Sequence, residues 1–309
     1  VSEALEFTGE RFTPECVREI WYEHWHRYAF ALEFVAGKRV LDAACGEGYG
    51  SALLAGTAAS VVGVDLAPAA VEHARNRYGA RANLRFELGD ATELALAAGA
   101  VDVVVSFETI EHLSAQRELI AGFERVLAPG GLLLISSPDR RSYSDRSGSI
   151  NPHHVKELYR EEFEALLRER FGAVRLFGQK LLFQSAIWSL DAAPQRATAA
   201  TVAEPGAAPV AGLDYEPLYY VALCARAEHE LPADLARRVS LFGDRAESVY
   251  AHYNAEVGKH IRAGTLLAEA ERRAAEALAR AERAEQELAR RSAPTAPDRF
   301  GRLRRLFGR

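Results

Sequence analysis

The chain has 309 residues and a formal net charge of −5, from 43 Asp and Glu against 38 Lys and Arg. That length suits one substantial α/β domain with appendages, or two domains. An acidic total with no concentrated basic stretch in the core points away from nucleic acid as a partner. Cys16, Cys45 and Cys224 are far apart and lack metal-ligand spacing, so they read as free thiols in a reducing compartment. No apolar run reaches the roughly 18 residues of a membrane-spanning helix, and nothing near Val1 resembles a signal peptide. A cytoplasmic location is expected.

Residues 1–14 are polar and include GERFTP. Thr13 as cap and Pro14 in the first turn predict a helix over 15–35. It carries Trp21, Tyr22, His24, Trp25, His26, Tyr28 and Phe30. Two readings stand: a helix packed across a sheet edge, or a lid with Glu10, Arg11, Tyr22 and Tyr28 turned to a ligand and excluding water. Next comes VLDAACGEGYG, residues 40–50. A strand that ends in a glycine turn and opens a helix can cradle a polar ligand, and an acid, Asp65, closes the following strand at the distance of a ribose-binding acid.

Strands are expected over 39–43, 60–65, 84–88, 101–107 and 132–136, short and apolar on both faces as buried parallel strands are. Helices over 49–55, 69–78 and 114–127 alternate with them, and Pro129-Gly130-Gly131 reads as a turn. This alternation predicts an α/β doubly wound sheet. Residues 139–152 read as a loop, 158–170 as a helix and 174–179 as a sixth strand. A Pro-, Ala- and Gly-rich insertion over 192–213 reads as mobile surface. It leads to a seventh strand over 219–226, antiparallel because no crossover helix precedes it.

These motifs together resemble the class I S-adenosylmethionine-dependent methyltransferases over roughly residues 36–226. Asp42, Gly46, Gly48 and Gly50 look like that family's first motif, Asp65 like its ribose-gripping acid, and Gly89-Asp90-Ala91 like its adenine-side segment. Phe107 and Glu108 look like its fourth-strand loop, and RVLAPGGLLLIS from Arg125 like the run into strand five. The resemblance implies a seven-stranded Rossmann-like sheet with an antiparallel last strand. It implies S-adenosylmethionine as methyl donor, with Asp42, Gly46, Gly48, Asp65, Leu66, Asp90, Ala91 and Phe107 as its contacts. The organisation expected is a helical lid over 1–35, a methyltransferase domain over 36–228 and a helical extension with a basic tail over 229–309. A narrower resemblance, on GERFTPE, FETIEHL and NPHHVKELY, is to bacterial methyltransferases of surface polysaccharide and glycan synthesis. Some of those add a kinase domain, which this chain lacks, and a coiled coil.

Methyl transfer needs an in-line nucleophile and, for a hydroxyl acceptor, a base. Glu108, Glu111, His112, Asp139, His153 and His154 fall near the carboxyl ends of strands four and five. On a helix, Glu108, Glu111 and His112 would share a face. The ExxEH pattern with a later histidine is similar to one that binds magnesium in small RNA 2′-O-methyltransferases. That resemblance implies a Mg2+ site of Glu108, Glu111, His112 and His153. The alternative is metal-free, with His153 or His154 as general base and His112 and Asp139 beside it. Arg140, Arg141, Tyr143, Lys156, Tyr159 and Arg160 flank this mouth, either to meet a phosphate or acidic sugar or as a solvated loop.

The function expected is an O-methyltransferase on a sugar or glycan hydroxyl. The alternatives are a methyltransferase of quinone precursors or other natural products, and a cofactor-binding scaffold in glycan assembly. Residues 258–291 are rich in Ala, Glu, Arg and Leu and predict a long helix. Its heptad-like steps suit a self-pairing coiled coil, a homo-oligomer or an assembly partner, or a single helix. Residues 299–309 interleave five arginines with Phe300, Leu303, Leu306 and Phe307. They suit peripheral contact at the inner face of a membrane, or a solubilising end.

Overall fold

The computed structural model describes residues 19–148, 150–187, 191, 198–202 and 208–292. Glu10, Arg11, Thr13, Pro14 and Cys16 lie outside these residues, as do 192–197 and 203–207 of the insertion and the basic stretch 299–309. The chain divides into two compact units, Val1–Arg245 and Ala246–Arg309. No described helix is long and apolar enough to cross a membrane.

The first unit opens on α1 (Glu19–Val35), then alternates β1 (Arg39–Ala43), α2 (Tyr49–Leu54), β2 (Ser60–Asp65), α3 (Pro68–Tyr78), β3 (Leu84–Leu88) and β4 (Val101–Ser106). α4 (Gln116–Val126), β5 (Leu127–Pro138), α5 (Arg160–Arg168) and β6 (Ala173–Gln179) follow. Two-residue strands β7 (Ala200–Thr201) and β8 (Val210–Ala211) pair with each other, and β9 (Tyr219–Ala225) completes the main sheet. Its strand order is β3-β2-β1-β4-β5-β9-β6. β1 to β5 are parallel, and β9 runs antiparallel to both β5 and β6.

Strand residues alternate between two buried layers, as the pleat requires. Val40, Val103 and Val105 face one layer with Tyr28, Phe34, Leu54 and Phe86. Leu41, Val104 and Leu133 face the other, with Ile120, Phe123, Phe163 and Phe171. Strand order reverses between β1 and β4, so the loops leaving these two strands diverge and open a crevice at their carboxyl ends.

The turn expected at Pro129–Gly131 lies inside β5. Pairing with β4 jumps from Val101↔Leu127 to Val103↔Leu132, five residues of β5 against two of β4. The surplus is a bulge in which Gly130 takes φ +73°, a left-handed value that glycine adopts without a Cβ clash. After β9, Leu231 and Leu235 are buried in the core of the first unit, so residues up to 245 belong with the sheet. The second unit contains α6 (Ser248–Ser292), a 45-residue helix that starts ten residues before the expected 258. Its surface carries i,i+4 ion pairs such as Arg272–Glu276 and Arg291–Glu287.

Candidate functional site

β1 ends in Asp42, which has no exposed surface. Ser51 Oγ donates to Asp42 Oδ2 at 2.6 Å and Tyr28 OH donates to Oδ1 at 3.1 Å. Burial pushes this carboxyl up to about 7, although the two hydroxyls pull it back. Asp42 thus lies beneath the loop and ties β1, α1 and α2 together. Above it the backbone turns through left-handed φ at Ala44, Gly46 and Gly48. A Cβ on Gly48 would meet the Phe86 ring at 2.7 Å, and one on Gly50 would meet the Tyr28 ring at 2.0 Å. The third glycine therefore admits α1 rather than a ligand.

Asp65, at the end of β2, holds this loop from the other side. Its Oδ2 accepts Gly46 N–H at 2.8 Å and its Oδ1 accepts Ala67 N–H at 2.9 Å. A carboxylate oxygen accepts more than one donor, so both retain capacity for ligand hydroxyls. Leu66 follows and is 68% exposed, and Leu88 at the end of β3 is 56% exposed. Two large apolar side chains in water beside a polar cradle suit the face of an aromatic base. Asp90 Oδ1 accepts both the N–H and the hydroxyl of Thr92, at 2.8 and 2.7 Å. Ala91 is buried, and Phe107 packs edge-on to Tyr28 with ring centroids 5.2 Å apart.

Glu108 departs from expectation. The segment after β4 is a single short 3-10 turn, Ile110–His112, and Glu108 precedes it with φ +52°. The three side chains therefore do not share a helical face. Glu108 turns to Ser136, whose hydroxyl donates to Oε1 at 2.7 Å, and to Arg27, whose Nη1 lies 3.5 Å from that oxygen. Arg27 is 1% exposed; its Nη1 donates to Gln179 Oε1 at 2.8 Å and its guanidinium covers the Tyr219 ring at 4.8 Å. Its Nε and Nη2 have no hydrogen-bond partner among the described residues. Beside it, burial pushes the Glu23 carboxyl up to about 7 against the pull of the Arg27 charge. A cavity of about 840 Å3 borders Glu23, Arg27 and Gln179, and no glycine-loop residue lines it. Sequence reading missed Glu23, Arg27, Gln179 and Tyr219. The one available signal was two opposite charges, Glu23 and Arg27, four apart on an apolar helix.

Glu111, His112 and His154 converge, with one ligand atom from each lying within 4.8 Å of the others. Glu111 is fully buried, and neither carboxylate oxygen has a hydrogen-bond partner among the described residues. Burial, then the Glu108 charge, push its pKa well above the ordinary value. His154 Nδ1 meets Glu157 Oε1 at 2.5 Å, its Nε2 meets the Asn151 amide at 2.9 Å, and Tyr143 stacks on its ring. The set expected from sequence was Glu108, Glu111, His112 and His153. The structure puts Glu108 with Arg27, and His153 is exposed: its N–H donates to Asn151 Oδ1 and its carbonyl accepts from His112 Nδ1. Asp139 is buried under the turn at 141–145, accepting the Ser142 hydroxyl at 3.0 Å. Arg140 lies over the Tyr159 ring. An open hollow of about 600 Å3, lined by Ser142, Tyr143, Asn151 and His153 among others, adjoins the cluster.

Residues 41–135 match a family model described as a methyltransferase domain. That span holds the glycine loop, Asp65, Asp90, Phe107 and the Glu111–His112 pair. This part of the chain is similar to methyltransferase domains. The sheet order, with one strand antiparallel between β5 and β6, is the class I S-adenosylmethionine-dependent methyltransferase fold. Among curated relatives, a probable S-adenosylmethionine-dependent methyltransferase of Mycolicibacterium smegmatis is 42% identical over 167 residues, 53% of this chain and 64% of that protein. One from Mycobacterium tuberculosis is 40% identical over 168 residues, 53% of this chain and 60% of that protein. A ubiquinone biosynthesis O-methyltransferase of Thiobacillus denitrificans is 32% identical over 126 residues, 40% of this chain and 54% of that protein. The chain thus spans less than two thirds of the length of these relatives. Its donor side fits S-adenosylmethionine: a backbone cradle for the methionine part, Asp65 for the ribose, and Leu66 and Leu88 for the base.

Proposed function

We propose that the domain transfers the methyl group of S-adenosylmethionine to a hydroxyl of a sugar or glycan. The donor, when bound, supplies an electrophilic methyl carbon on a sulfonium. The acceptor oxygen forms a bond to that carbon as the carbon–sulfur bond breaks, and the acceptor proton passes to the Glu111–His112–His154 cluster. The products are a methyl ether and S-adenosylhomocysteine. The convergence of that cluster beside the hollow at Tyr143 carries the reading. A carboxylate and two imidazoles match a hydroxyl that must lose a proton. The hollow offers Ser142, Asn151 and an aromatic ring to a polyhydroxyl ring.

A phenolic hydroxyl of a quinone precursor is the second reading, favoured by the Thiobacillus relative, which is named for ubiquinone biosynthesis. Incubation of the chain with methyl-labelled donor and a panel of nucleotide-sugars, glycans and catechols separates the two. Label in a sugar ether is the expected result. Label in catechols alone replaces the acceptor, and donor binding with transfer to none of them overturns both.

A further inference from the structure

The strongest unexplained feature of the first unit is the Glu111 carboxylate. It is fully buried, both oxygens lack a hydrogen-bond partner among the described residues, and it points into a space shared with two imidazoles. A buried acid in that condition is costly unless protonated or paired. We infer that Glu111, His112 and His154 form a binding site for a borderline divalent cation of the Zn2+ or Co2+ class.

The tautomers carry the argument. His112 Nδ1 lies 3.0 Å from the His153 carbonyl oxygen. A carbonyl only accepts, so Nδ1 bears the proton and the lone pair of a neutral ring is on Nε2. His154 Nδ1 lies against the Glu157 carboxylate, which likewise places its proton on Nδ1. Its Nε2 then accepts the Asn151 amide N–H at 2.9 Å. Both imidazoles are therefore oriented through Nδ1 by an oxygen acceptor, which is how metal-ligating histidines are ordinarily held, and Nε2 is the ligating nitrogen of each, that of His154 by exchanging the Asn151 amide for the ion. The two rings stand edge to face with centroids 5.0 Å apart, and His112 Nε2 is 3.9 Å from Glu111 Oε1. One ligand atom from each of the three residues lies within 4.8 Å of the others, and coordination through His154 Nε2 displaces the Asn151 amide.

The donor set also selects the ion. Two imidazoles and one carboxylate suit borderline cations, whereas Mg2+ prefers oxygen ligands and holds several waters. Three protein ligands leave positions open. With the ion bound, the cluster would act on the acceptor proton through it: the ion would lower the pKa of a bound hydroxyl, whose proton then passes to solvent; that role rests on the transfer reading above, and the binding does not.

The test uses the full chain, stripped with a chelator and titrated with Co2+, followed by the visible ligand-field absorption and by metal content after dialysis. We expect a spectrum of mixed nitrogen and oxygen ligation, abolished by Zn2+ and unaffected by excess Mg2+. Glu111→Gln and His154→Gln should weaken binding at least tenfold. Glu157→Gln, which touches no ion, should weaken it by roughly 10-fold or more through His154. His153→Ala should bind as wild type does. Glu111→Gln keeps the side chain's size and shape, so its melting temperature without metal, expected to match that of metal-free wild type, keeps loss of metal separate from loss of fold. No Co2+ spectrum from the wild-type chain, or one that survives in both Glu111→Gln and His154→Gln, overturns the site. Hydroxyl methylation undiminished after metal removal overturns the ion's role and leaves the transfer reading standing. Bound Co2+ without methylation of any acceptor does the reverse.

Discussion

The Tyr28 hydroxyl of α1 donates to the buried Asp42 carboxylate at the end of β1, 3.1 Å away. The same ring fills the space a Cβ on Gly50 would occupy. One side chain thus couples the N-terminal helix to the glycine loop by both a hydrogen bond and shape. Tyr28→Phe keeps the ring and strands one Asp42 oxygen with no exposed surface. Leaving a buried acceptor unsatisfied costs about 1–3 kcal/mol. The expected result is an unfolding free energy lowered by that amount, read as a lower urea midpoint with an unchanged slope. A variant as stable as wild type would show that the hydroxyl is not needed there.

Asp42 also sets a pH dependence. Burial pushes its carboxyl up to about 7 from an ordinary 3.8, and Glu23 rises to about 7 from 4.5. Between those values the folded chain holds protons that the unfolded chain has released. Stability from these groups is therefore fully present below about 3.8, falls as pH rises and levels off above about 7. Each contributes at most about 1.4 kcal/mol per pH unit. Asp42→Asn should remove one such share. The difference between its stability and that of wild type, measured by urea unfolding from about pH 4 to pH 8, should shift in the variant's favour as pH rises and flatten near 7. Parallel curves would mean that Asp42 is ionised throughout that range.

Much of this was legible in the chain. β1 to β4 are bounded by apolar runs and turn residues that have no competing structure, and Asp65 was marked by its place at a strand end. What escaped was fixed by tertiary contact. Arg27 and Gln179 are 152 residues apart in sequence, and only packing of α1 on the edge of β6 brings them together. His153 and His154 are neighbours that point different ways because Asn151 caps the turn between them. No periodicity distinguishes them. Glu108 left its expected partners because its left-handed backbone redirects the side chain, and nothing in the residue type announces that.

Arg27 and Glu108 form an ion pair in which Arg27 is wholly enclosed, with Glu23 as a second acid nearby. Removing one partner of a buried pair strands the other, at about 3–5 kcal/mol. Arg27→Met should lose that much, Glu108→Gln less, because Gln still accepts from Ser136. The double variant should be more stable than the sum of the two losses predicts, with a coupling of about 0.5–3 kcal/mol. A double-mutant cycle in urea decides this. Losses that simply add would place the Arg27 contribution in its packing on Tyr219 and its bond to Gln179.

Asp65 braces the loop through Gly46 and Ala67, and the donor-binding role proposed for it can be tested separately. Asp65→Asn retains one carbonyl acceptor for Gly46 or Ala67, so one backbone bond survives, but it loses the charge and one acceptor oxygen. Hydrogen bonds to a charged group are worth about 1.5–3 kcal/mol each, and each 1.4 kcal/mol is tenfold in affinity. Donor binding, measured by calorimetry with S-adenosylhomocysteine, should therefore weaken by about tenfold or more. Asp90→Asn should have a smaller effect, because Asp90 already spends Oδ1 on Thr92 and its amide counterpart can keep that turn. The ranking follows from position: Asp65 closes β2 and bonds the Gly46 turn of the glycine loop, whereas Asp90 lies past β3 at the sheet's edge. Equal losses from the two variants, or none from Asp65→Asn, would remove Asp65 from the donor site and leave it as a brace for the Gly46 turn.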